Sequence, residues 1–85
     1  MVPVPASEND RLRQEILDVL RRGGPALPIE LAAATLSLLD EVRPVLEEMQ
    51  REGLIEIRDV RAGQLVALTA RGRQEAQRSF SEPTK

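Results

Sequence analysis

At Gly53 the spacing of apolar residues changes period, and this change constrains the chain more than any other feature. Before it, Leu38, Leu39, Val42, Val45, Leu46 and Met49 cluster on one arc at about 100° per residue, the stripe of an amphipathic helix. After it, Leu54–Ile55–Glu56–Ile57–Arg58–Asp59–Val60 alternates as a half-buried strand does, with Glu56 and Arg58 outward. A helix thus feeds a strand through one glycine, and the fold must be of mixed α+β type.

The other segments supply mostly helix. Leu12, Ile16, Val19 and Leu20 share one face of a helix over about Asp10 to Arg22, capped by Ser7 or Asp10 and ended by Gly23–Gly24. Pro25 to Pro28 is a connector, and Pro28 suits the first position of a short second helix ending near Thr35–Leu36. Ser37 has the chemistry of an N-cap, with Asp40 as its capping-box partner, for a third helix over about Leu38 to Glu52. Pro44 interrupts that helix: either it begins late, near Asp40 or Glu41, or it kinks at the proline. Arg61–Ala62–Gly63–Gln64 forms a turn and Leu65 to Leu68 a returning strand. Thr69 caps a last helix over about Ala70 to Phe80, with Ala76 and Phe80 inward. The organisation is a flexible segment at 1–9, one domain at 10–80 and a tail at 81–85. Leu17 lies about 60° from the mean direction of the first helix's core face, which leaves it partly exposed unless a partner covers it. With Leu12, Leu20 and Phe80 it suggests that the first and last helices pair across a two-fold axis.

Three helices, a two-stranded hairpin and a closing helix follow one another in the order of a winged helix-turn-helix. The run V-R-P-V-L-E-E-M-Q-R-E-G-L-I-E-I from Val42, with the turn and L-V-A-L after it, resembles the recognition helix and wing of small bacterial regulators of the MarR, PadR and ArsR type. The L-T-A-R-G-R of Leu68 to Arg73 resembles the L-T-x-x-G-R that often opens their post-wing helix. The resemblance covers about residues 10–80 and implies a transcriptional regulator that binds double-stranded DNA as a homodimer. It implies that the outer face of the third helix enters the major groove. That face carries Ser37, Asp40, Glu41, Arg43, Pro44, Glu47 and Arg51, with Arg43 as the base reader. Arg58, Arg61 and Gln64 would sit on the wing, and Arg71, Arg73 and Arg78 would add phosphate contacts from the last helix.

Charge pulls the other way. The net charge is −2, and the third helix carries Arg43 and Arg51 against Asp40, Glu41, Glu47, Glu48 and Glu52. Phosphates line both walls of the major groove, so this helix is repelled more than attracted. The competing reading is a protein-interaction module whose acidic third helix docks a basic partner, or a solvated face with i,i+4 support such as Glu47–Arg51. The last third of the chain is basic by contrast. Eleven arginines against one lysine suit planar, bidentate contacts to phosphate or carboxylate.

Composition argues against other classes. Without histidine or cysteine, and with lysine only at position 85, no serine or threonine has an activating base and no metal-ligand set exists. We therefore expect a non-enzymatic protein without cofactor or metal. Single-stranded nucleic acid needs aromatic platforms, and Phe80 is the one aromatic residue. Residues 1–7 lack the features of a targeting signal and no run is long enough for a membrane span, which points to the cytoplasm. With no sizeable sensor domain, a small-molecule pocket is expected only at a dimer interface.

Overall fold

The change of period at Gly53 is realised as a helix C-terminus turning directly into a hairpin. The computed structural model describes residues 8–80, and side chains for residues 10–78. The elements run α1 (Glu8–Gly23), α2 (Pro28–Ala34), α3 (Leu39–Arg51), β1 (Ile55–Val60), β2 (Gly63–Leu68) and α4 (Ala70–Phe80). This is the expected α+β, mainly helical, winged helix-turn-helix. The candidate cap Ser7, residues 1–7 of the expected 1–9 segment and the expected tail 81–85 lie outside the described residues, whereas Glu8 and Asn9 of that segment are already in α1. Asp10 is already inside α1 and is not its cap.

α1 is the central element, packed against both α3 and α4. Leu12, Ile16 and Leu20 are buried as their spacing requires, while Val19 is only half-buried. Leu17, expected at the surface, is 1% exposed. The single-face expectation fails because a helix covered on two sides buries an arc wider than one stripe. Leu12, Leu17 and Leu20 therefore belong to the chain's own core and are not free to form a dimer face. Leu31 and Ala32 of α2, Val42, Val45, Leu46 and Met49 of α3, Leu54, Ile55, Val66 and Ala76 complete that core. No polar side chain is buried among the described residues, so every functional group stands at the surface.

α2 starts as expected at Pro28, where the missing N–H breaks no helical bond. The Leu27 N–H donates to the Glu30 carboxylate (2.8 Å), satisfying one end group. The connector before it is not mere linkage. Ala26 exchanges both backbone hydrogen bonds with Val66 (2.9 and 2.8 Å), adding a one-residue bridge to the edge of the hairpin. Pro28 restricts the preceding Leu27 to the extended conformation it holds (φ −84°, ψ 154°).

α2 ends in a Schellman motif: the Leu36 N–H donates to the Ala33 carbonyl (3.2 Å) and the Ser37 N–H to the Ala32 carbonyl (2.9 Å). This forces Leu36 to φ 57°, a left-handed conformation that costs a leucine about 1–2 kcal/mol. The motif also moves the start of α3. Ser37 was expected as its N-cap with Asp40 as partner, but the Ser37 hydroxyl is occupied within the turn, bonded to Thr35. Leu38 takes the N-cap position, and its N–H donates to the Glu41 carboxylate (3.0 Å). Leucine offers no side-chain acceptor there, and the choice costs about 1 kcal/mol relative to Ser, Thr, Asp or Asn. Leu38 thus leaves the apolar arc and stands 68% exposed.

α3 runs unbroken through Pro44, five residues after its start, so it does not begin late at Asp40 or Glu41. Pro44 cannot donate the bond that the Asp40 carbonyl would accept, at a cost of about 3 kcal/mol in a helix interior.

α3 ends in a second Schellman motif, with Gly53 (φ 82°) in the position that Leu36 holds in the first. Its carbonyls are then gripped by the start of α4. The Thr69 hydroxyl donates to the Gly53 carbonyl (2.6 Å) and accepts from the Gly72 N–H (3.0 Å), while the Thr69 N–H donates to the Leu54 carbonyl (3.0 Å). A Cβ on Gly72 would lie 1.9 Å from the Leu54 carbonyl oxygen, so only glycine lets α4 approach this closely.

Two sets of variants test this account by thermal or denaturant unfolding. Leu36→Gly should stabilise the protein by about 0.5–1 kcal/mol, the relieved strain less the added freedom of the unfolded chain. Pro44→Ala should stabilise by about 2 kcal/mol. At the other end of α3, Thr69→Val should cost about 1–2 kcal/mol and Thr69→Ser much less. Gly72→Ala should cost about 3 kcal/mol, because backbone rather than a flexible side chain must move.

Candidate nucleic-acid interface

Two surfaces of this scaffold are exposed, charged and rigidly held: the outward side of α3 and the β1–β2 hairpin. On α3 the buried stripe Val42, Val45, Leu46 and Met49 fixes the rotation. Asp40, Pro44, Glu47 and Arg51 therefore occupy the middle of the exposed side. Arg43 and Gln50, seven residues apart, flank it on one edge, and Glu41, Glu48 and Glu52 on the other.

The acidic edge is less free than its count suggests. Glu41 accepts from the N-terminus of its own helix. Glu52, just beyond the last helical residue, receives both guanidinium nitrogens of Arg13 (2.5 and 3.2 Å) from α1. Asp40, Glu47 and Glu48 remain as outward carboxylates. The expected Glu47–Arg51 pair does not form. Arg43 and Arg51 are exposed without an ion-pair partner among the described residues. Asp18 is held by Arg21 and Arg22 (2.7 and 2.9 Å), so those two arginines belong to the surface of α1.

The hairpin is tighter than the expected four-residue turn. Val60 pairs with Gly63, which leaves Arg61 and Ala62 as the loop and extends β2 back to Gly63. Arg61 stands at the tip, exposed. Register decides which wing residues act together. Arg58 opposes Leu65 and Gln64 opposes Asp59, so Arg58 and Gln64 point to opposite faces of the ribbon. The three wing candidates Arg58, Arg61 and Gln64 are thus not one contact surface. Arg58 also bonds the Glu56 carboxylate (3.4 Å) on its own face, which offsets part of its charge.

The arginines of α4 diverge as well. Arg71 lies beside Gly53, its Cδ 4.0 Å from where a Cβ would stand, and so flanks the C-terminus of α3. Arg73 lines an open cleft of about 260 Å³ with Leu20, Arg21, Gly24, Pro25 and Gln77, toward the end of α1. Ser37, the remaining candidate, is half-buried with its hydroxyl engaged by Thr35. In its place the structure offers Leu38, which the sequence had assigned to the core. The missed signal was Glu41 three residues after Leu38, a second capping frame offset by one from Ser37 and Asp40.

The DNA-binding regulator BpsR of Bordetella bronchiseptica, whose DNA binding is regulated by 6-hydroxynicotinic acid, superposes with a TM-score of 0.79 at 26% identity over 92% of this chain and 57% of its own. A probable transcriptional regulator of Pseudomonas aeruginosa gives a TM-score of 0.72 at 25% identity, over 76% of this chain and 52% of its own. The Zα domain of PKZ from Carassius auratus, solved with Z-DNA, has a TM-score of 0.69 at 19% identity, over 74% of this chain and all of its own. At that identity the likeness is of fold alone. No protein-family model matches the sequence, and no curated protein matches it. The chain is a winged helix-turn-helix domain that resembles MarR-like transcriptional regulators, and it spans about half the length of BpsR and of the Pseudomonas aeruginosa protein. No helix among the described residues is long and apolar enough to cross a membrane.

Proposed function

We propose that the chain is a non-catalytic DNA-binding domain of a bacterial transcriptional regulator, acting in the cytoplasm on double-stranded DNA as a homodimer. The observation that carries this reading is the superposition on BpsR, which covers helix-turn-helix and wing together. In this reading α3 lies in the major groove with Arg43 as base reader, since guanidinium forks match the guanine edge. Arg61 at the wing tip and Arg71 beside the α3 C-terminus contact phosphate. Arg58 and Gln64 serve from opposite faces of the wing, and Ser37 acts through the turn geometry it stabilises. A homodimer sets two such helices one turn of DNA apart, about 34 Å. The ion pair of Glu52 with Arg13 supports the reading by offsetting one carboxylate of the count that opposes it, and the N-terminus of α3 partly offsets Glu41.

A second reading rests on the three outward carboxylates Asp40, Glu47 and Glu48, which suit a basic protein surface. One experiment separates the two. Anisotropy of a labelled random-sequence duplex is measured at low salt and through a salt series. DNA binding predicts affinity that falls steeply with log salt, with Arg61→Ala lowering the slope by about one. Arg43→Ala should change that slope less and act on sequence preference. Absence of duplex binding even at low salt sinks the DNA reading and leaves the protein-docking one.

A further inference from the structure

Three residues within a nine-residue stretch each work against the stability of the fold, and all three are exposed outside the core. Leu36 holds a left-handed conformation while 94% exposed. Leu38 occupies an N-cap without a capping side chain while 68% exposed. Pro44 stands exposed in the middle of the outward side of α3, where it removes a helical hydrogen bond. Local strain of this kind persists where function requires it and clusters at binding sites. Scattered exposed leucines need no explanation; costly residues gathered over the turn before α3 and its first two turns do.

The chemistry of the surrounding surface limits what this entrance can read. Asp40 and Glu47 are acceptors only, so they match donor edges of bases and repel guanine N7 and O6. Arg43 is the one side-chain donor among the outward residues of the first two turns of α3. Leu38 and Pro44 offer neither donor nor acceptor. In the major groove the single apolar feature on a base edge is the 5-methyl group of thymine.

We propose that Leu38 and Pro44 are specificity-determining residues that contact thymine 5-methyl groups in the major groove. The proposal rests on the DNA-binding reading above and adds which bases α3 selects. The expected target has thymines at the positions met by Leu38 and Pro44, near a guanine met by Arg43. The acidic face then acts as a filter: it weakens binding to most sequences, so that apolar complementarity decides among those left.

The test begins with selection of duplexes from a random pool by the full chain. Each thymine of the selected site is then replaced singly by deoxyuridine, which removes the methyl group and keeps every hydrogen-bonding group. At one or two positions the affinity should fall about fourfold, the effect of one buried methyl group. That sensitivity should vanish in Leu38→Ala or Pro44→Ala, measured on the same duplexes. Pro44→Ala removes a helix-breaking residue, so its loss of sensitivity cannot be ascribed to unfolding. Binding that is indifferent to deoxyuridine everywhere overturns the proposal while leaving the DNA reading intact. So does a sensitivity that persists in both variants. Failure to recover any bound duplex overturns both.

Discussion

The joint between α3, β1 and α4 is the constraint on which the rest of the molecule depends. One threonine hydroxyl links the Gly53 carbonyl to the Gly72 N–H, and its backbone N–H takes the Leu54 carbonyl. Gly72 lets α4 sit directly on that carbonyl, where a Cβ would collide with it. The end of α3, the root of the wing and the start of α4 are thereby fixed to one another. The exposed side of α3 and the root of the hairpin are held together because both leave this joint. An interface made of two separated surfaces requires such preorganisation, since freedom between them would have to be lost on binding.

The elements were legible because each carried its own local signal. The period change at Gly53 located α3 and β1, and Pro28 located the start of α2. What was not legible depended on contacts distant in sequence. The G-L-I and L-T-x-x-G-R segments read as two separate motifs, yet they form one structure closed by bonds over sixteen residues. Ala26 gave no strand signal because its pairing with Val66 is a tertiary fact. Leu17 was misassigned because periodicity describes one face, whereas α1 is covered by both α3 and α4. The capping error at Ser37 has a different cause. Two frames offset by one residue were both chemically sensible, and the Schellman turn before them decided by engaging Ser37 first.

The candidate site was legible in residue type and less so in arrangement. Arg43, Arg61 and Arg71 are exposed as expected, but strand register sets Arg58 and Gln64 on opposite faces of the wing. The acidic count of α3 also overstated the repulsion it implies. Sequence cannot show that Glu52 meets Arg13, thirty-nine residues away, or that Glu41 caps its own helix. Three outward carboxylates nevertheless remain on the exposed side of α3. Under the proposed DNA reading they would lower affinity for every duplex, and discrimination would come from contacts that only some sequences offer.

This is where the two Schellman turns become instructive. They have the same hydrogen-bond pattern and the same left-handed requirement, yet one carries glycine and the other leucine. At Gly53 the turn forms part of a structural joint, and the residue is the one that the backbone favours. At Leu36 the turn leads into the exposed start of α3, and the residue is one that the backbone disfavours. Leu38 and Pro44 extend the same contrast along the helix. α2 also starts on a leucine N-cap, Leu27, whose side chain is half-buried, so what sets Leu38 apart is its exposure; an interior proline on a solvent-facing side gains the fold nothing. Leu36 strains the turn before α3, and Leu38 and Pro44 weaken α3 itself, with acidic residues among them; the proposed thymine contacts would account for keeping such residues on an exposed surface.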